Sequence, residues 1–307
     1  MNTLKQIGRL AGYLALRGWL LVVPVLPLGF LLWTGRRLGD VMRWVSPRRR
    51  RIAERNLKIA FGAELSRKQR AAIAAECFRQ FGMFVFEGMK FAYLSDDEAF
   101  RYIEFEPSAV ALIGEAYKKR LGVIFVSAHF GNFELAARAV AHEGWPVLVV
   151  VRPARDVRTT QLMDAMRHRN GMRTVARGEA GRPMLAALRR GECIALLADQ
   201  NAEEVFVLFF GQPTGTVDGP ARLSIHTGAP VVFVTCVREG WLRYRVDTEG
   251  IIEPKKNAPL QEETIRITSE LNQLLEKAIR KHPEQWLWFH NRWRSSPDVV
   301  VPEGLDS

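Results

Sequence analysis

The sequence predicts an α/β fold: a mixed, largely parallel sheet flanked by helices, preceded by an N-terminal hydrophobic membrane-anchoring helix. Three observations point there. Beyond residue 120, short apolar runs alternate with helical segments, and strand–helix–strand alternation needs crossovers that lay helices on both faces of a sheet. Several apolar runs end on polar residues, as in VIFVSAH, VLVVVR and CIALLADQ. Parallel strands collect such ends along one edge, where open α/β sheets bind ligands. Finally, residues 10–33, LAGYLALRGWLLVVPVLPLGFLLW, carry a single charge, Arg17.

That first run is roughly long enough to cross a hydrocarbon core, which takes about 20 residues. Pro24 and Pro27 would break or kink a helix there. Lys5 and Arg9 precede it, and Arg36, Arg37, Arg43 and Arg48 to Arg51 follow. Trp19, Trp33 and Trp44 suit the headgroup level. No small-residue cleavage site follows, which disfavours a signal peptide. A buried core helix is the alternative. The expectation is a membrane anchor, spanning or re-entrant, in residues 1–45, with one α/β domain in 46–307.

Residues 47–60 and 66–94 read as helices, the second capped by Ser66. Ile73, Cys77, Phe81, Phe84, Val85, Met89 and Phe91 recur near helical spacing. That stripe suits core packing or the wall of an apolar channel. Strands are expected at 122–128, 146–152, 174–176, 193–199, 230–238 and 244–252. Helices are expected near 132–143, 157–169, 181–190, 219–227 and 260–281.

The formal charge of +11 calls for an anionic partner. The cationic residues lie beside the apolar run and no RNA-binding aromatic signature accompanies them. An anionic membrane surface is therefore expected rather than nucleic acid. Cys77, Cys193 and Cys236 are far apart and read as small buried residues in a reducing compartment. No zinc-type Cys/His spacing, Walker loop or GxGxxG is present, so neither metal nor cofactor is expected.

The stretch HFGNFE at 129–134 carries the chemistry. His129 and Glu134 would point about 140° apart on one helix. They can cooperate only if His129 sits in the strand-to-helix turn and Glu134 in the first helical turn. Gly131 permits the turn, and Asn132 or Gly131 can cap the helix. A carboxylate beside the imidazole fixes its tautomer and stabilises the imidazolium, which suits a general base acting on an alcohol. The simpler alternative is a dipole-complementing Glu134 and a satisfied turn histidine. Arg152 and Asp199 end neighbouring strands. Arg152 suits a phosphate or carboxylate, or a surface ion pair. Asp199 could orient His129 from the other side, bind a substrate hydroxyl, or cap a helix.

At these residues the sequence resembles the bacterial lipid A biosynthesis acyltransferases, the lauroyl/myristoyl transferase family of the glycerolipid-type acyltransferases. RNLKIAFG (55–62), FGMFVFEGMKF (81–91), SAHFGNFE (127–134), VVVRP (149–153), ADQN (198–201), the 208–234 block and PEQWLWFHNRW (283–293) follow one another in the family's order. Phe133 stands where Trp is common in the box. The resemblance implies His129 as general base, Glu134 as its partner, and Gly131, Asn132, Arg152, Asp199, Gln200 and Arg292 as substrate-binding positions. It implies direct transfer of a long-chain acyl group from an acyl carrier protein thioester to a glycolipid hydroxyl, with backbone N–H groups near Gly131 as oxyanion donors. It also implies the cytoplasmic face of a bacterial inner membrane. The other readings are an acyltransferase for another glycolipid or a phospholipid acceptor, and a membrane-surface lipid hydrolase using the same pair. A serine esterase is disfavoured because GxSxG is missing.

Overall fold

In the computed structural model, which describes residues 2–296, the apolar N-terminal run divides into two helices. α1 (Asn2–Val22) and α2 (Leu28–Val45) are separated by a short 3-10 turn carrying Pro24. Pro27 stands immediately before α2. The prolines therefore do what their missing N–H and fixed φ dictate. Among the described residues no helix is long and apolar enough to cross a membrane. The expected anchor, spanning or re-entrant, is therefore not borne out as a single spanning helix: α2 carries Arg36, Arg37, Asp40 and Arg43, and the uncharged stretch is broken before it. The side chains of Lys5 and Arg9, and residues 297–307 of the expected 46–307 domain, lie outside the described residues.

α2 is not free-standing. Leu28, Leu31, Leu32, Gly35 and Gly39 form one buried face, packed on α4 (Arg67–Phe91). The approach is close enough to demand glycine: a Cβ on Gly35 would sit 2.6 Å from the Gly82 carbonyl oxygen. The opposite face of α2 is also apolar, and exposed. Phe30, Trp33, Val41 and Trp44 lie along it, with Trp44 80% exposed. On α1 and the turn after it, Leu21 and Val25 are exposed as well. α3 (Pro47–Phe61) and α4 follow, and Ser66 caps α4 through a full capping box.

A short helix, α5 (Asp96–Ala99), leads into β1 (Ile103–Phe105), α6 (Pro107–Lys118) and β2 (Val123–Ser127). Then come α7 (Phe133–His142), β3 (Val147–Val151), α8 (Val157–Arg169), β4 (Arg173–Ala176), α9 (Gly181–Arg189) and β5 (Cys193–Leu197). A hairpin, β6 (Asn201–Phe209) and β7 (Gln212–Thr216), stands apart from the main sheet. α10 (Gly219–Thr227), β8 (Val231–Arg238), β9 (Tyr244–Ile252) and α11 (Leu260–Lys281) complete the order. The main sheet runs β1-β9-β8-β2-β5-β3-β4. Its pairings are parallel except β8–β9, as the alternation of runs predicts.

Two cores follow from the period-2 alternation of the strands. Val123, Phe125, Val147, Cys193 and Val234 face α6 and α7. Ile124, Val126, Leu148, Ile194 and Phe233 face α9, α10 and α11. The sheet opens at its C-terminal edge. β2 stays paired with β5 to Ser127–Leu197, and β3 with β4 to Val151–Ala176, but β3 and β5 part after Val149–Ala195. That split positions the site.

Candidate active site

His129 emerges two residues beyond β2, half-buried, at the edge where β5 also ends. The turn that follows is tightly specified. Gly131 has φ +54°, and a Cβ there would meet the Cys236 carbonyl oxygen at 1.9 Å, so only glycine fits. Its N–H donates to the Gln285 carbonyl (2.9 Å) and the Asn132 N–H to the Cys236 carbonyl (2.8 Å). These amides are spent on the turn, which corrects the expectation that they could receive an oxyanion.

Asn132 is the N-cap of α7, its Oδ1 accepting from Leu135 N at 3.1 Å. Its Nδ2 donates to Glu87 (2.5 Å), a fully buried carboxylate that also pairs with Arg238. With a residual exposure of 2%, Asn132 supports the turn. Glu87, Arg238 and Gln285 escaped sequence reasoning. Their signal was a carboxylate inside the apolar α4 stripe and a glutamine leading into an aromatic run.

The imidazole is held by Asp199. His129 Nδ1 lies 2.8 Å from Asp199 Oδ1, and the His129 backbone N–H donates to Asp199 Oδ2 at 2.9 Å. Trp286 Nε1 donates to the same oxygen at 2.9 Å. An ionised carboxylate only accepts, so Nδ1 carries the proton and Nε2 is left as the basic nitrogen. Gln200 Nε2 stands 3.5 Å from it. Burial pushes the imidazole down, but the charge and hydrogen bond of Asp199 outweigh it, and the His129 pKa sits above its usual 6.5. Asp199 answers in kind. Burial opposes its charge, yet His129 and the Trp286 N–H hold it below the usual carboxylate range.

Glu134 lies elsewhere. Its carboxylate receives Arg167 Nε and Nη2 from α8, the shorter contact being 2.7 Å. The structure thus replaces the expected His129–Glu134 pairing with His129–Asp199. The reason is geometric: α7 begins at Phe133, and its first turn aims Glu134 at α8 rather than back at the imidazole. Arg167 was not anticipated, because α8 has no buried residue and no apolar stripe to mark it.

Arg292 is also corrected. It is fully buried, donating to the Gly215 carbonyl and Thr216 Oγ1 (2.7 Å) beneath the β6–β7 hairpin. Burial pulls its pKa down to about 10 against the pull of Asp199. It braces the hairpin. Asn56, from the Arg-Asn-Leu block, holds the same C-terminal segment through the Trp288 and His290 carbonyls at 2.8 and 2.6 Å. Arg152, by contrast, is exposed at the rim. The three cysteines are buried and unpaired, and the described residues contain no cluster able to hold a metal.

A cavity of about 550 Å³ opens at His129 and straddles the β3–β5 split. Its lining includes Phe125, Val149 and Ala195 beside α7, and Met184 and Leu223 from α9 and α10. The site is therefore a fixed imidazole beside an apolar cavity, with Arg152 and Arg177 in its lining.

The sequence of the bacterial lipid A biosynthesis acyltransferase family matches residues 4–295. The chain belongs to that family. It is 29% identical to the lipid A biosynthesis palmitoleoyltransferase of Escherichia coli (strain K12), over 89% of this chain and 87% of that protein. It is 27% identical to the lipid A biosynthesis lauroyltransferase of the same organism, over 92% and 90%. A lipid A biosynthesis acyltransferase of Haemophilus influenzae is 29% identical over 88% of each. The protein is an acyltransferase.

Proposed function

We propose that this acyltransferase moves a long-chain acyl group from an acyl carrier protein thioester to a hydroxyl of a lipid A precursor, with His129 as general base. The observation that carries the reading is the fixed tautomer: Nδ1 is tied to buried Asp199, which leaves Nε2, with only a long 3.5 Å contact to Gln200, as the basic nitrogen beside an apolar cavity. Nε2 takes the acceptor hydroxyl's proton as the oxygen attacks the thioester carbonyl. A C–O bond forms. The C–S bond then breaks, and the imidazolium returns the proton to the departing thiolate. Asp199 stabilises the imidazolium in between. No acyl-enzyme is needed.

Asp199 is accordingly a positioning residue. Arg152 and Arg177, exposed at the mouth, suit an anionic group of the acceptor. The exposed apolar face of α2, with Trp33 and Trp44 and the neighbouring arginines, suits a helix lying in the interface plane of an anionic leaflet. This in-plane seat, rather than a spanning helix, supports a reaction at the cytoplasmic face of the inner membrane. An acidic carrier protein would approach the net-positive surface faster at low salt.

The test is direct. Purified protein with acyl carrier protein thioester and lipid A precursor should yield one added acyl chain by mass spectrometry. Release of free fatty acid instead would establish a hydrolase. The apparent KM for the carrier-bound donor should rise with salt as screening shortens the attraction. A flat salt response would remove the electrostatic docking.

A further inference from the structure

We propose that Gln200 is a further catalytic residue: its side-chain amide donates to the oxyanion that forms on the thioester carbonyl. This rests on the acyl-transfer reading above. Attack by the acceptor hydroxyl places negative charge on the former carbonyl oxygen, and a site sheltered from water must supply a donor for it. The turn after His129 does not. The Gly131 and Asn132 N–H groups are taken by the Gln285 and Cys236 carbonyls. Arg167 is tied to Glu134, and Arg152 and Arg177 are exposed. Besides His129, the uncharged polar side chains in the cavity lining are Ser127 and Gln200.

Gln200 is the one beside the base. Its Nε2 stands 3.5 Å from His129 Nε2. Since Nδ1 carries the imidazole proton, Nε2 offers a lone pair, and the amide turns its NH2 rather than its carbonyl toward it. A contact this long is weak, so it is given up cheaply when the acceptor hydroxyl takes the lone pair. Among the described residues the amide makes no other hydrogen bond, which leaves both N–H groups to donate. A hydroxyl bonded to Nε2 sits about 2.8 Å from it, and the carbonyl it attacks lies one bond further on. A donor 3.5 Å from the same nitrogen can approach that carbonyl's oxygen to about 2.7–3.1 Å, the separation an oxyanion needs.

The amide is also fixed from both sides along the chain. Asp199 before it is held by His129 and Trp286. Asn201 after it donates its backbone N–H to His290 Nε2 at 3.2 Å and exchanges hydrogen bonds with Ser295 at 2.9 and 3.0 Å. As the C–O bond forms, one amide N–H closes on the developing O⁻. As the C–S bond breaks, the carbonyl returns and the amide keeps its proton.

The experiment measures kcat and KM of the full-length protein in liposomes with an acyl carrier protein thioester and a lipid A precursor. Gln200→Leu should lower kcat about 10²–10³-fold, with the KM for both substrates nearly unchanged, since the lost contact exists only in the transition state. Gln200→Glu keeps the shape, but an ionised carboxylate only accepts and repels the oxyanion, so it should lose at least as much. Ser127→Ala removes a buried hydroxyl that has no partner and should stay near wild type. An unchanged Tm in each variant separates these losses from unfolding. Normal kcat with a raised KM in Gln200→Leu would make Gln200 a binding contact only and overturn the assignment. Full activity of Gln200→Glu would overturn it too, and so would a kcat loss confined to Ser127→Ala, which would give the oxyanion to that hydroxyl. In all three cases the wild type still transfers, and the acyl-transfer reading stands. If the wild type transfers no acyl group, that reading fails and the assignment falls with it.

Discussion

Two carboxylates were expected beside His129, and they are placed differently. Asp199 ends a buried strand, is almost wholly buried, and gives both oxygens to the histidine residue, one of them shared with the Trp286 N–H. Glu134 begins α7, keeps about a quarter of its side chain exposed, and gives its oxygens to Arg167. The sequence places Glu134 five residues from the histidine and Asp199 seventy away, yet the distant one touches the ring. Neighbourhood in the chain fixed which helix follows the base. Strand order fixed what lies beside it, because β5 is inserted next to β2.

The largest test of that contrast removes the proposed base. His129→Ala should cost on the order of 10²–10⁴ in kcat, with the fold intact by circular dichroism. Full activity in that variant would move the chemistry away from this edge.

Asp199→Asn should come next, at about 10²-fold or more. An amide can still accept from the ring but can no longer stabilise the imidazolium. The pH profile separates this from a packing defect. Asp199 holds the His129 pKa above 6.5, and the base works only when neutral, so the wild-type acid limb should lie above that value. Without the carboxylate, burial alone acts on the ring, and the limb should move to lower pH. Stability carries the same sign. A raised histidine pKa contributes stability that is fully present below 6.5 and lost as pH rises through the raised value. The variant should lose that pH dependence of Tm. An unshifted acid limb would dissociate Asp199 from the base.

Glu134→Gln should do less, and differently. It loosens a part-exposed bidentate ion pair between α7 and α8, worth about 1–2 kcal/mol once screening by solvent is allowed for. Since α8 has no buried residue to hold it, the expected signs are a lower Tm and a raised KM for the acyl donor, with the acid limb unmoved. Arg167→Met should reproduce both. A shift of the acid limb in Glu134→Gln would restore Glu134 as the partner of the imidazole.

Much of this was legible beforehand, for identifiable reasons. The long helix at 260–281 and the helices at 157–169 and 219–227 match the expected spans, because caps, prolines and glycines bound them. His129, the Gly131 turn and the Asn132 cap were readable because a turn needing positive φ leaves a local mark. The β6–β7 hairpin was not. Its turn sits at Phe210-Gly211, both with positive φ, and a phenylalanine there disguises the signal that Asn or Asp would give. The roles of Arg292 and Glu87 were hidden because burial of a charge is decided by distant segments. The apolar run at 10–33 looked like a span because hydropathy counts residues without regard to which helix face they occupy.

The smallest expected effect is also the sharpest discriminator: the coupling between each carboxylate and the base. Asp199 acts through the imidazole, so once His129 is alanine the further change Asp199→Asn should cost little, and the double variant should resemble His129→Ala alone. Glu134 reaches the reaction through Arg167 and α8. Its contribution should survive loss of the base, and the effects of His129→Ala and Glu134→Gln should multiply, leaving a coupling no larger than about 0.3–0.5 kcal/mol, as for independent sites. The two cycles share one corner and one assay, so errors in background activity cancel between them. Equal couplings for the two carboxylates would mean that both act on the ring during turnover, and that α7 rotates Glu134 away from Arg167 when substrate is bound.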